Sequence, residues 1–375
     1  MRVRLFIALE FDRISREKIL RAARDAGAKH VVPAENLHAT LAFLGERESA
    51  DDLIRAMGAI SANAFDVRLG KSVSFGSAEA FLLSDNCETL ALKRLTDAFT
   101  GLSAADFVPH VTVTRKGRLK KGFTASETLH ATAVTLFKSE FTDSKRIYTP
   151  LKSVLLKPKK DFRAMLFDLD GTLTNSAPGI KRSLRYALDK LGVTGYDPAV
   201  LDKFLGPPLI WSFKTYMGLD DDTAAEGLRL YRQDYNERGG KYDAEVYEGI
   251  PKLLAALRES GVPLGVATVK PENTAKEVLE HFDLMKYFDT VSGGAPEEKK
   301  AEKKEMILRA LERMDISADD SVLMIGDRVF DIEGGIAAGV KTLGVGYGFG
   351  GAAELRTAGA DYIALTAADI RGLIV

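Results

Sequence analysis

Cysteine occurs once in the 375 residues, at Cys87. No intrachain disulfide can form, so the fold must rest on packing and hydrogen bonds, as suits a reducing compartment. No apolar run approaches the roughly 20 residues that a bilayer-spanning helix needs. The opening Met1–Asp12 reaches charge too soon for a signal peptide. A cytoplasmic protein without membrane contact is expected. Charge of one sign is lacking too: 52 Lys and Arg face 53 Asp and Glu, a net charge of −1. That excludes a global positive field gathering nucleic acid without selection. Two basic stretches break the balance, Arg115–Lys121 and Lys152–Lys160. Each fits a solvated loop or linker as well as a phosphate-rich ligand surface. Histidine is scarce, five in all, which makes any pattern among them informative.

What is present suits two domains. Hydrophobic residues make up 46% and charged residues 28%, ordinary for a globular chain. Residues 1–156 read as an α+β domain. Strands are expected at Val3–Leu9, Leu37–Leu44, Phe107–Thr114, Thr132–Lys138 and Arg146–Leu155, with helices at Ser15–Ala26 and Cys87–Phe99. The stretch Phe65–Leu83 gives no clear register. Residues 157–162 form a short charged linker containing Pro158. From 163 to 375 short apolar runs (Ala164–Phe167, Pro263–Ala267, Ser321–Ile325, Lys341–Gly344) alternate with helical segments, which predicts a parallel sheet with helices on both faces. Ala177–Ser260 is helical in character and far longer than a crossover requires, so about 180–245 is expected to be an inserted cap.

The run Met165–Thr174 (MLFDLDGTLT) ends an apolar strand in two carboxylates one residue apart, Asp168 and Asp170. Ligands bind at the carboxyl ends of strands in open α/β sheets, and paired carboxylates suit a hard cation such as Mg2+. Gly171 and Thr172 provide a turn whose amides and hydroxyl can hold phosphate oxygens. This segment resembles the DxDGT motif of the haloacid dehalogenase superfamily. The resemblance implies a Rossmann-like core with a helical C1-type cap. It implies that Asp168 attacks phosphorus to give an aspartyl-phosphate while Asp170 serves as acid and then base. Later motifs fall in order. Thr268 and Lys270 would contact phosphate after the second strand. Lys303 is taken as the charge-neutralising lysine among Lys299, Lys300, Lys303 and Lys304. Asp327 in Ile325–Asp331 (IGDRVFD) would complete a Mg2+ site with Asp168 and Asp170, and Asp331 would support it from behind. Leu205–Leu209 (LGPPL) resembles a turn of phosphoglycolate-phosphatase-like and nucleotidase-like members, or is a plain helix breaker. Trp211, Phe213 and Tyr216 nearby suit either a core or stacking on a base.

Two of the five histidines share one local pattern. In Leu37–Phe43 (LHATLAF), His38 and Thr40 fall on one face of an alternating strand, with Leu37, Ala39, Leu41 and Phe43 on the other. In Phe107–Val113 (FVPHVTV), His110 and Thr112 do the same. Two imidazoles flanking one site form an acid/base pair that works near neutral pH and needs no metal. The paired H-x-T segments resemble the 2H phosphoesterase superfamily, a bilobal α+β fold. Arg4–Leu9 and Pro109–Arg115 resemble its RNA 2′,3′-cyclic phosphodiesterase branch, which implies Arg115 as a phosphate contact and a 2′-phosphate product. His30, His130 and His281 have no such setting.

The expectation is a bifunctional phosphoester hydrolase. RNA ends or nucleotide-like phosphoesters are its substrates, and Mg2+ serves the C-terminal half alone. The two steps would act in series on RNA ends. The rival readings are an independent phosphoglycolate or nucleoside monophosphate phosphatase, joined to a 2H domain that acts on another cyclic phosphate or only binds RNA.

Overall fold

The computed structural model describes residues 2–84, 87–102, 107–142, 145–158, 161–295 and 302–373. The chain divides into two compact units. One comprises Met1–Asp161 with Leu343–Gly346 and Ala352–Val375; the other comprises Phe162–Thr342 with Tyr347–Gly351.

The first unit begins β1 (Val3–Phe11), α1 (Arg13–Asp25), β2 (Ala39–Arg47), α2 (Asp51–Met57), β3 (Phe65–Phe75), β4 (Ala78–Ser84), α3 (Cys87–Thr100), β5 (His110–Thr114), β6 (Thr128–Thr142) and β7 (Lys145–Leu155). The strands form one antiparallel sheet in the order β1-β2-β5-β4-β3-β6-β7, and β1 also pairs with β6. Six strands thus close into a ring, which leaves few unpaired edges. Where the family resemblance leads one to expect two lobes, the described strands make a single barrel-like sheet.

β1 is apolar on both faces because both are covered. Leu5, Ile7 and Leu9 join the main core with Ile19, Ala22 and Ala23 of α1. Phe6 and Ala8 point the other way, to Phe137 and Tyr148. Asp12 starts α1 by accepting a hydrogen bond from Ser15 N at 2.8 Å. The stretch without clear register is the hairpin β3–β4, turning at Gly76 with φ 61°. Its alternation is broken because the pairing shifts between Leu69 and Ser72, where Lys71 bridges to Thr124 instead.

The second unit contains β8 (Ala164–Phe167), β9 (Thr174–Asn175), α4 (Ala177–Lys190), α5 (Leu209–Met217), α6 (Asp221–Arg232), β10 (Glu245–Val246), α7 (Ile250–Glu259), β11 (Leu264–Pro271), α8 (Glu272–His281), β12 (Thr290–Gly294), α9 (Lys303–Arg313), β13 (Val322–Gly326) and α10 (Val329–Ala338). β8 lies between β11 and β13, all three parallel, and β12 lies outside β11. The sequence pattern did not reveal β12, whose Ser292–Gly294 lack the usual apolar run. The helical insertion leaves and re-enters through β9 and β10, which pair antiparallel, Thr174 with Val246 and Asn175 with Glu245. It packs on its own core of Leu184, Leu188, Phe204, Phe213 and Leu230. A π-turn at Gln233–Glu237 continues α6.

After these come β14 (Lys341–Val345), α11 (Gly351–Ala358), β15 (Tyr362–Ala364) and α12 (Ala367–Arg371). β14 and β15 pair in parallel, Leu343 with Tyr362 through Val345 with Ala364. No helix among the described residues is long and apolar enough to cross a membrane.

Candidate active sites

In the second unit, β8 ends at Phe167 and delivers Asp168 at the carboxyl edge of the sheet, its amide donating to Ile325 O at 2.8 Å. Lys303, at the first position of α9, reaches Asp168 Oδ1 and Asp331 Oδ1, both at 2.7 Å, and Ala267 O at 3.0 Å. Of the candidate lysines among the described residues, it is Lys303 that contacts Asp168. Lys304 follows it on α9, while Lys299 and Lys300 lie outside the described residues. Burial disfavours the charge on Lys303, but Asp168 and Asp331 outweigh it and hold the ammonium protonated. Burial raises the pKa of Asp168 to about 6, with Asp331 and Asp170 adding to the rise and Lys303 opposing it.

Asp168, Asp327 and Asp331 bring one carboxylate oxygen each within 4.8 Å of one another, all three buried. Burial pushes the pKa of Asp327 well up, and repulsion from Asp331 and Asp168 adds to it, against hydrogen bonds from Phe349 N (2.8 Å) and Thr172 Oγ1 (3.1 Å). An all-oxygen donor set with crowded negative charge fits a hard divalent cation such as Mg2+. Asp331 thus stands in the cluster itself. Its Oδ2 also accepts from Arg328 N at 3.0 Å, which caps α10 and fixes the carboxylate.

Asp170, expected among the metal ligands, turns its carboxylate to Lys270 Nζ instead, at 2.8 and 2.9 Å. Lys270 Nζ also donates to Tyr235 Oη at 2.7 Å. Tyr235 comes from the π-turn of the insertion, stacked on Tyr231 with ring centroids 5.3 Å apart. Thr268 is buried beside this pair, and its Oγ1 accepts from Lys270 N at 3.2 Å. Thr172, expected at the phosphate, gives its hydroxyl to Asp327. Gly171 has φ +88°, and a Cβ there would lie 2.2 Å from Asp327 Oδ2, so only glycine fits.

The Gly-Pro-Pro turn of the insertion packs on the segment that carries Asp327. Arg328 donates to Leu205 O, and a Cβ on Gly206 (φ +109°) would fall 1.9 Å from Arg328 Nη1. Phe213 is core, while Trp211 is half exposed and edge-on to Tyr216 at 5.4 Å.

In the first unit, β2 and β5 are neighbours and set Ala39 opposite Val111, antiparallel. That register puts Thr40 across from His110 and brings His38 towards Thr112, so the two H-x-T segments mirror one another. The mirror extends to the rings. His38 Nδ1 donates to Asn36 O and His110 Nδ1 to Val108 O, both at 2.8 Å. A carbonyl can only accept, so each neutral ring carries its proton on Nδ1 and leaves Nε2 as the acceptor.

The surroundings differ. Phe6, Tyr148 and Phe137 wall in His38 at 5.0, 5.4 and 6.4 Å. Burial lowers its pKa to about 4; Arg356 and Arg115 push the same way, against the Asn36 carbonyl and Glu10. His110 lies against Phe75, at 4.5 Å. Arg115 follows β5 and is exposed. In the basic stretch after it, Arg118 pairs with Glu79 at 3.0 Å and Lys120 donates to Asp25 O at 3.2 Å.

Phe43 departs from the simple alternation. Register shifts in the β1–β2 pairing set Phe6 opposite Phe43 and Ala8 opposite Thr40. Directly opposed residues share a face, so Phe43 joins His38 and Thr40 on the open side. It is 52% exposed and covered in part by the Arg4 guanidinium, 4.8 Å from its ring centre. His130 pairs with Asp66 at 2.8 Å and His281 stacks on Tyr242. Tyr235, the Phe349 amide and Arg356 were not singled out from sequence. The glycine-rich run Gly344–Gly351 after an apolar strand was the one available signal for the Phe349 loop.

Comparison with known proteins bears on both units. Residues 165–345 match the family model of haloacid dehalogenase-like hydrolases, and residues 14–80 that of LigT-like phosphoesterases. The second match includes His38 and Thr40. A 5'-nucleotidase of Pseudomonas aeruginosa is 42% identical over 192 residues, 51% of this chain and 86% of that protein. A phosphoglycolate phosphatase of Escherichia coli O157:H7 is 33% identical over 211 residues, 51% of this chain and 83% of that protein. The crystal structure of a predicted phosphatase from Clostridium acetobutylicum is similar with a TM-score of 0.53 and 41% identity, covering 56% of this chain and 97% of that one.

Proposed function

The chain belongs to the haloacid dehalogenase-like hydrolases through its C-terminal part and carries a LigT-like phosphoesterase ahead of it, and on that premise we propose that it hydrolyses two kinds of phosphoester in series on RNA ends. The protein is a hydrolase of phosphoester bonds. The finer reading has the first domain (1–156) open a 2′,3′-cyclic phosphate and the second (163–375, with a C1-type cap at about 180–245) remove the resulting phosphomonoester.

The mirrored pair of H-x-T segments carries the first step. His38 is neutral at physiological pH and presents Nε2 as a base, so it takes a proton from water as the oxygen attacks phosphorus. The P–O3′ bond breaks, and His110 gives a proton to the departing oxygen, leaving a 2′-phosphate. Thr40 and Thr112 hold the phosphoryl oxygens, and Arg115 neutralises them from the rim.

In the second step Asp168 attacks phosphorus and the ester P–O bond breaks. Asp170 protonates the leaving oxygen, then takes a proton from the water that releases phosphate and frees Asp168. Lys303 fixes the nucleophile, Thr268 and the Gly171 amide receive phosphoryl oxygens, and Lys270 holds Asp170. Mg2+ held by Asp168, Asp327 and Asp331 would screen the negative charge between nucleophile and phosphate. The relatives named as a 5'-nucleotidase and a phosphoglycolate phosphatase favour a small phosphomonoester as the second substrate, and the same experiment decides between the two readings.

That experiment is product analysis on a short RNA ending in a 2′,3′-cyclic phosphate, with wild type, Asp168→Asn and His110→Ala, each with Mg2+ and with EDTA. Wild type with Mg2+ is expected to give a free diol, Asp168→Asn to stop at the monophosphate, and His110→Ala to leave the ring closed. Identical monophosphate from wild type and Asp168→Asn would sink the serial reading and favour separate substrates. An unopened ring with wild type would leave the first domain an RNA-binding module.

A further inference from the structure

Arg356 lies on α11, outside both stretches that match a family model. It groups with the first unit, and its side chain is 6% exposed. A buried guanidinium needs acceptors, and among the described residues two lie in different directions. Nη1 pairs with Glu10 Oε1, and Nη2 donates to Glu35 O at 2.5 Å. Its guanidinium carbon lies 4.8 Å from the centre of the Phe137 ring.

Each of these contacts leads to His38. Glu35 sits in the single turn Ala34–Asn36, and the next carbonyl, Asn36 O, accepts the His38 Nδ1 hydrogen bond. Phe137 is one wall of the aromatic cage around the ring. Glu10 stands on the same face of β1 as Phe6, the ring nearest His38, and is itself buried, taking a hydrogen bond from Thr135 as well. Burial opposes the Glu10 charge, but Arg356 and Thr135 outweigh it and keep its pKa low. The segment carrying Arg356 is held by further bonds to the same unit: Arg16 Nη2 to Ala360 O at 2.8 Å, and Lys152 to Asp369 at 2.5 Å.

We propose that Arg356 is a positioning residue for the cyclic-phosphate site, tying the turn before His38 and the aromatic wall behind it to the buried Glu10 carboxylate. The inference rests on the reading of His38 as the base of ring opening. A planar fork serves two acceptors at once where an ammonium would serve them poorly, so lysine is not equivalent here. The groups facing His38 are Glu10 from β1, Tyr148 from β7, Arg115 after β5 and Arg356 from α11, with the Asn36 carbonyl on Nδ1.

The test uses the full chain as wild type, Arg356→Lys, Arg356→Met and the double variant Glu10→Gln/Arg356→Met. The double variant removes both buried charges and guards against unfolding by a lone carboxylate. Three readings are taken: opening of a nucleoside 2′,3′-cyclic monophosphate, hydrolysis of para-nitrophenyl phosphate as a check on the fold, and the NMR titration of the His38 ring, assigned with His38→Gln. In the double variant para-nitrophenyl phosphate hydrolysis is expected to persist. The kcat for ring opening should fall about 10- to 100-fold with KM little changed, as misplacement of a reacting group produces. The His38 midpoint should rise from about 4 towards 6.5 as the cage loosens, and Arg356→Lys should fall between. An unmoved His38 midpoint overturns the proposal, whatever kcat does. If wild type opens no ring, the functional reading fails by itself, and the titration alone still decides whether Arg356 governs His38.

Discussion

His38 and His110 hold their Nδ1 protons on carbonyls in the same way, so what separates them is water. A ring that stays neutral down to about pH 4 remains available as a base in mild acid, and ring opening should not lose its base as pH falls from 7 to 5. A rate that drops with a midpoint near 6.5, matched by the His38 ring's own titration at that midpoint, would count against this. Stability runs the other way. The unfolded chain takes up that proton from about pH 6.5 downward while the folded chain does so only near 4. Stability contributed by His38 is therefore lost as pH falls through that window, and the urea midpoint of wild type should drop more between pH 7 and 5 than that of His38→Gln. At Gly171, alanine would need both a rare φ and 2.2 Å of space beside Asp327. Gly171→Ala should lower phosphatase activity at least about 100-fold and weaken Mg2+ binding measured by calorimetry, leaving ring opening unchanged. Placements that follow from a short motif were legible in the sequence: Asp168 and Asp327 together after two strands, His38 and His110 at neighbouring strands. Partnerships were not. That Thr172 serves Asp327, that Asp170 faces Lys270, and that Asp331 joins the carboxylate cluster depend on where separate strand ends meet.

Elements with one strong period were legible; those shaped by their neighbours were not. β8, β11 and β13 announce themselves as short apolar runs, and α1 by its helical spacing. β3 hides because the pairing slips beside Gly70, and β12 because its end is Ser-Gly-Gly. The shifted β1–β2 register turned Phe43 to the open face, a change no alternation rule foresees. The Gly206 turn links the insertion to the segment after β13 through Arg328. Gly206→Ala should displace that turn, raise the KM for phosphomonoesters about tenfold and speed amide exchange in α5, with ring opening as in wild type. Unchanged exchange with unchanged KM would mean that the turn is only a helix breaker.

Across the whole molecule the proposed reading assigns the two chemistries different agents. EDTA should abolish phosphomonoester hydrolysis and spare ring opening, measured on the same sample. Neutralising Lys116 and Lys121 should lower affinity for a short RNA and flatten its dependence on salt; no change in either would make that stretch a solvated loop. The division of labour was legible from sequence because each half carries its own motifs. That Ala352–Val375 groups by contact with Met1–Asp161 was not, since nothing local in a helix such as Gly351–Ala358 points to a partner near the start of the chain; the proposed second domain of 163–375 does not rest on this grouping.

The bond between Glu10 and Arg356 spans 346 residues. At about 5–20 residues added per second, a ribosome makes the carboxylate tens of seconds before its guanidinium. During that interval the nascent barrel holds Glu10 without its Arg356 partner, and the turn before His38 lacks the bond from that guanidinium. The first half to be synthesised is thus among the last parts of the molecule to mature, and any message cut short before Arg356 yields a chain whose opening histidine is present but unset.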